Sequence, residues 1–137
     1  MTEATFSTDN WATMTPLLLF LHSADSYLAI GLMLVAALHG IRSHLRHPAY
    51  LSRSYQTLLI AGATVLALQV VLGVSLLVSG LRPSDILHIV IYGALSPLIL
   101  PGAYMYTRGQ GKGHPNLAFG LVCLFLAGFL IRGTFTG

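Results

Sequence analysis

Four apolar stretches, separated by short polar interruptions, run along the chain at about 16–40, 55–80, 85–106 and 115–132. A helix rises about 1.5 Å per residue, so about 20 apolar residues cross the roughly 30 Å hydrocarbon core of a bilayer. The pattern predicts an all-α fold: an integral membrane four-helix bundle over 16–132, with an N-terminal segment at 1–15 and a tail at 133–137. The connections are too short to hold a further domain. Pro16 suits a first helical turn, where its missing N–H is not needed. Gly40, Gly80 and the Gly109–Gly113 run mark helix exits, and Gln110, Gly111 and Lys112 complete a short loop.

Composition agrees. Hydrophobic residues make up 55% of the 137 and charged ones 8%, with a mean hydropathy of +0.76. That excludes an ordinary soluble domain. Five of the seven basic residues (Arg42, Arg46, Arg53, Arg108 and Lys112) fall in the first and third connections. The positive-inside rule assigns those loops to the cytoplasm and both termini to the outer side of a cell inner (cytoplasmic) membrane. The first 16 residues contain no lysine or arginine, so the first helix reads as a retained anchor rather than a cleaved signal peptide. The single cysteine, Cys123, lies inside an apolar stretch and suits packing.

Polarity interrupts the first span in an instructive way. Its clean apolar run, Leu28 to Leu38, is 11 residues long and covers only about 17 Å. The block Pro16 to Leu21 must therefore also enter the membrane, which traps the intervening His22-Ser23-Ala24-Asp25-Ser26-Tyr27 at membrane depth. Groups so placed face the bundle interior or a cofactor. The fourth span, Leu117 to Ile131, is 15 residues long, about 22 Å, so Arg132 is expected to snorkel at the outer surface.

His22 and His88 are the candidates for chemistry. Each lies near the start of a span and is followed 20 positions later by an arginine, Arg42 and Arg108. Two helices running the same way would carry one imidazole each at similar depth near the outer face. Neutral imidazole is a common axial ligand of haem iron, and a helix bundle can clamp a cofactor between facing side chains. A packing role, with each ring bonded to a neighbouring carbonyl, stands beside that reading. Asp25 at i+3 from His22 and Asp85 at i−3 from His88 are placed to orient the rings. Asp85 or Ser84 also suits a helix N-cap; Asp25 also suits pairing with Arg82 or Arg132, or proton handling. The two arginines themselves carry the sign that neutralises haem propionates.

Around the pair, Gln69 and Gly73 share a helix face, where a small residue admits close approach and an amide bonds across helices. Tyr92 follows His88 by one turn and suits ring packing beside a cofactor or in the core. Pro97, Pro101 and Gly102 predict a kink below His88, opening space for a quinone or pigment tail. Tyr50, Tyr55, Tyr104 and Tyr106 fit an aromatic belt at the inner interface. For a second haem near that interface the pair would be His39 and His114, against simple interfacial solvation. Nothing in the sequence forms a nucleophile triad, phosphate loop, paired carboxylates or thiolate cluster.

The segments Leu21-His22, Leu68-Gln69-Val70-Val71-Leu72-Gly73 and Leu87-His88, in that order, resemble one four-helix half of the haem A synthase family. The resemblance covers about 16–132. It implies His22 and His88 as axial ligands, with Gln69 and Gly73 lining the pocket. The chain has one half where the family has two, and it lacks the paired extracellular cysteines and loop acid of many members. The expectation is therefore a small membrane cytochrome with one bis-histidine haem b near the outer face. Its site is His22, His88, Gln69, Gly73, Tyr92 and Arg132, and it would serve a respiratory or photosynthetic complex that exchanges electrons with quinol. Two alternatives stay open: an accessory subunit, with or without a pigment, and a half-sized haem-modifying oxygenase acting as a dimer.

Overall fold

A computed structural model describes residues 8–47, 50–83, 85, 86, 88–109 and 114–136, with side chains from residue 14 onward. Its elements are α1 (Thr8–Arg46), α2 (Arg53–Val78), a π-helical segment (His88–Leu95) running directly into α3 (Ser96–Gly109), and α4 (Pro115–Thr134). No strand occurs among the described residues. The spans Met14–Arg46, Arg53–Val78, His88–Arg108 and Pro115–Thr134 are each long and apolar enough to cross a membrane, as expected of a multi-pass membrane protein. α1 packs most extensively on α4, and next on α2. The outer end, named from the arginine distribution, holds the starts of α1 and the π-helical segment and the ends of α2 and α4.

Small residues explain the tight α1–α4 contact. Ala29, Met33, Ala36 and Ala37 of α1 are buried against a core that includes Phe119, Cys123, Leu126, Ala127 and Leu130 of α4. A Cβ on Gly120 would lie 3.1 Å from the Ile41 nitrogen and 3.3 Å from the Ala37 oxygen, so here the two backbones nearly touch. Without a hydrophobic driving force inside lipid, such close packing is what holds helices together. Cys123 is fully buried in this seam, as a packing role requires.

Helix boundaries depart from the sequence pattern where tertiary contacts intervene. α1 begins at Thr8 and includes Pro16 in its interior, not in its first turn. It also continues past Gly40 to Arg46, so Gly40 is no exit. Gly40 is a contact glycine: a Cβ there would run into Tyr55 Oη, the Asn116 carbonyl and the Gly120 Cα. Burial against α4 overrides its weak helix propensity. The same contact removes Tyr55 from the aromatic belt, for its ring is fully buried in the core, whereas Tyr50, Tyr104 and Tyr106 are exposed.

α2 starts on Ser52, whose Oγ accepts from the Tyr55 N–H at 3.3 Å. It ends in a Schellman motif: Leu81 N bonds to Leu76 O and Gly80 N to Leu77 O, each at 3.1 Å. Gly80 holds the left-handed φ of +93° that the motif needs. α4 opens with Pro115 at its first position, after His114. The alternative N-cap Ser84, the motif residue Leu87 and the Gln110–Lys112 loop lie outside the described residues.

The proline kink expected in the third span takes the form of a π-helix. Pro97 has no N–H to donate, and its ring crowds the carbonyl four residues back, at Gly93. Widening the turn relieves that crowding. In π register the missing N–H would have served Tyr92 O; Ser96 Oγ donates to that carbonyl instead, at 2.6 Å. π-turns usually occur singly and often at functional sites. This one spans eight residues and carries both His88 and Tyr92.

Candidate functional site

All four spans converge on one cavity of about 530 Å³ at the outer end of the bundle. That lies within the roughly 300–1,000 Å³ range of small-molecule and cofactor sites. His22 and Ser26 reach it from α1, Gln69 and Gly73 from α2, and His88 and Tyr92 from the π-helical segment. Leu130, Gly133 and Thr134 of α4 close the remaining side. Five of the six residues singled out from the sequence thus share one wall-to-wall space. The sixth, Arg132, is exposed on the last turn of α4 and does not line the cavity. The arginine that does line it is Arg82, in the connection after α2.

His88 is oriented from outside the cavity. Its Nδ1 lies 3.1 Å from Thr136 Oγ1, and the Thr136 hydroxyl lies 3.1 Å from the Gly133 carbonyl. A carbonyl only accepts, so the hydroxyl proton goes to Gly133 and its oxygen accepts from His88 Nδ1–H. That assignment of protons leaves His88 Nε2 with a lone pair. A ligating imidazole whose other nitrogen donates to a fixed acceptor is the usual arrangement at metal centres. The Tyr92 ring lies 5.6 Å from the His88 ring and 4.6 Å from Phe129. Gly133 makes room for it: a Cβ there would meet Tyr92 Cδ1 at 3.1 Å. Asp85 precedes the segment, and its carbonyl accepts the His88 N–H at 3.0 Å.

His22 sits in a polar network that joins α1 to α2. With its amide nitrogen toward Asp25, Gln69 donates to Oδ2 at 2.7 Å and to the His22 carbonyl at 3.2 Å. Its amide oxygen then lies 2.5 Å from Ser26 Oγ and 3.3 Å from His22 Nε2. The opposite orientation would set the Gln69 oxygen against a carboxylate and a carbonyl, so the first is adopted for an ionised Asp25. Ser26 Oγ has a second acceptor in the His22 carbonyl at 2.9 Å. Asp25, buried to 6% exposure, therefore takes Gln69 as its partner rather than the His22 ring or an arginine.

The two imidazoles differ in readiness. His88 keeps Nε2 unbonded in the arrangement just described, whereas His22 donates through Nε2–H to the Gln69 oxygen, so its Nε2 becomes a ligand only when that contact is released and the ring proton moves to Nδ1. At 3.3 Å that contact is long, and exchanging it costs about 1 kcal/mol. Gly73 faces His22 directly, with a Cβ built there 3.5 Å from His22 Cε1. The cavity is largely apolar, and both imidazoles and Arg82 are among its lining residues.

Thr136 escaped sequence reasoning. It lies in the tail, 48 residues from His88, and no periodicity marks it. Substituting Thr136 with valine keeps the shape but removes the acceptor. The expected result is a roughly 10–100-fold loss of cofactor affinity, the range for an outer partner of a metal ligand, measured by haem titration of the apoprotein. Asn116 was missed as well. Fully buried, it donates through Nδ2 to the carbonyls of His47 at 2.8 Å and Tyr50 at 2.7 Å, tying the first connection to the start of α4.

Compared with known proteins, the chain matches no family model, no curated protein and no solved structure.

Proposed function

We propose that this protein is a haem b-binding electron-transfer protein of the membrane, with His88 and His22 as axial ligands at the outer end of the bundle. The observation that carries this reading is the shared cavity: two imidazoles from different helices face one apolar space at membrane depth, where imidazoles are costly and seldom without a task. The donor set suits the group. His88 offers Nε2 because Thr136 takes Nδ1–H, and His22 offers its ring once Gln69 releases it.

When bound, the haem supplies one-electron chemistry. The chain's own residues do the rest. Thr136 holds the His88 ring in one tautomer, and Gln69, bonded to Asp25 and to the His22 carbonyl, fixes the α1 backbone that carries His22. Tyr92, backed by Phe129, forms a wall that excludes water. Arg82 at the rim carries the charge that a carboxylate-bearing edge needs. The small exposed polar surface favours service inside a larger respiratory or photosynthetic membrane complex, with quinol as the mobile partner. The test is a dithionite-reduced minus oxidised visible spectrum of the purified chain, with haem quantified. A sharp b-type band at about one haem per chain supports the reading; a well-folded, haem-supplied preparation without haem rejects it.

One observation favours a second reading, an accessory subunit in which these histidines only pack. The His22–Gln69–Asp25–Ser26 network is satisfied without any cofactor. Under either reading, Gln69→Leu leaves the buried Asp25 carboxylate without a partner. It should lower stability by about 1–3 kcal/mol or somewhat more, read from unfolding in mixed micelles. The readings separate on the spectrum: Gln69→Leu also perturbs a haem signal if His22 is a ligand.

A further inference from the structure

We propose that the inner end of the bundle carries a separate site, for a late first-row divalent metal ion held between His44 and His114. It does not depend on the haem reading. His44 lies on the last turns of α1, one turn beyond Gly40, where α1 meets α4. His114 occupies the position just before α4, and its side chain makes no capping hydrogen bond there. Their ring centroids are 5.0 Å apart with the planes inclined at 69°. An imidazole nitrogen binds Zn²⁺ at about 2.0–2.1 Å, which sets each ring centre about 3.2 Å from the ion and two rings on a tetrahedral ion about 5.2 Å apart. The observed spacing meets that value. Rings on opposite sides of a single haem iron, at similar bond lengths, would be about 6.4 Å apart, so the pair is too close for a second haem. His39, the other histidine considered for that role, packs against Tyr55 instead, with the ring centroids 5.0 Å apart and the planes tilted by 33°.

A second observation points to a ligand here. His44 Nδ1 is buried and has no hydrogen-bond partner. Such an atom is costly unless a water molecule or ion meets it. Asn116, on the first turn of α4, likewise keeps a buried, unpaired Oδ1. No third histidine, cysteine, aspartate or glutamate joins the pair among the described residues, so the remaining positions fall to water. A neutral imidazole set beside Arg42 and Arg46 disfavours Mg²⁺ and Ca²⁺, which need carboxylate oxygens, and suits Cu²⁺, Ni²⁺ or Zn²⁺.

The experiment is a Cu²⁺ titration of the full chain carrying His22→Ala, which breaks up the other imidazole pair, in detergent and without a histidine tag, with electron paramagnetic resonance as the readout. One ion per chain, with coupling to two imidazole nitrogens, is expected. His114 is exposed, so His114→Ala should leave the bundle intact while weakening binding by about 100-fold, at least the top of the range for lost ligand support. His44→Gln should do the same, and His47→Ala should bind like the parent chain. Binding that survives His114→Ala, coupling to a single nitrogen, or no stoichiometric binding would overturn the proposal. The last outcome would leave a buried water as the partner of His44.

Discussion

Substituting His88 with alanine is expected to remove the low-spin, b-type band of the proposed cytochrome from the reduced spectrum, while the bundle still inserts and folds. The expected effect is large because, of the two proposed ligands, His88 is the one that the surrounding residues prepare. Its Nδ1 is held by Thr136 and its backbone N–H by the Asp85 carbonyl. The π-helical turn aims it into the cavity. No neighbouring imidazole on that wall can replace it. The fold survives because His88 is not part of the buried core, which lies toward the middle and inner half of the bundle. Haem content and the visible spectrum check the first half of the expectation, and far-ultraviolet circular dichroism checks the second. An unchanged spectrum would remove His88 from the site. His22→Ala should also lose the six-coordinate signal but retain some five-coordinate haem through His88, so the two variants differ in spin state.

Gly40→Leu should be the most damaging substitution away from that cavity. A side chain there meets Tyr55 Oη, and its Cβ comes within 2.8 Å of both the Asn116 carbonyl and the Gly120 Cα. The last two are backbone atoms, so no rotamer change relieves them, and α1 must separate from α4. Overpacking in a well-filled interior costs about 1–3 kcal/mol and sometimes more; the upper end is expected where backbone is the obstacle. Gly31→Leu is the control. Gly31 is exposed and has nothing within 4 Å of a built Cβ, so that change should stay within about 0.5 kcal/mol. Reversible unfolding of both variants in mixed micelles measures the difference. Equal stabilities would mean that the α1–α4 seam is looser than the close backbone approach implies.

Much of the architecture was readable because the bilayer imposes it. A chain in lipid must satisfy its backbone internally, so length and apolarity alone yield helices, their number and their approximate limits. The polar residues trapped at depth in the first span were equally readable, since a lipid-facing position would be too costly for His22 or Asp25. That argument singles out His22 and, by matched position, His88; the shared face of Gln69 and Gly73 and the place of Tyr92 one turn after His88 are local patterns too, and all five line one cavity. It went astray over Arg132. Charge and side of the membrane suggested an arginine near the site, but only the path of the connection after α2 distinguishes Arg82 from Arg132.

Other features depend on residues far apart in the chain. Whether Gly40 ends a helix or lets two helices touch is decided by Gly120 and Asn116, about 80 residues away, because glycine serves both ends equally well. Tyr55 looks like a belt residue until the space left by Gly40 receives it. Pro97 announces a disturbed helix, yet its form as a π-helix depends on how the neighbouring carbonyls find donors, Ser96 among them. The tautomer of His88 rests on Thr136, and the pairing of His44 with His114 rests on the register between α1 and α4. Hydrophobic periodicity records which face of a helix is apolar; it carries no record of which partner lies opposite. Helix number and membrane depth therefore follow from local transfer energies along the chain. Pocket chemistry follows from contacts that form only when the helices pack.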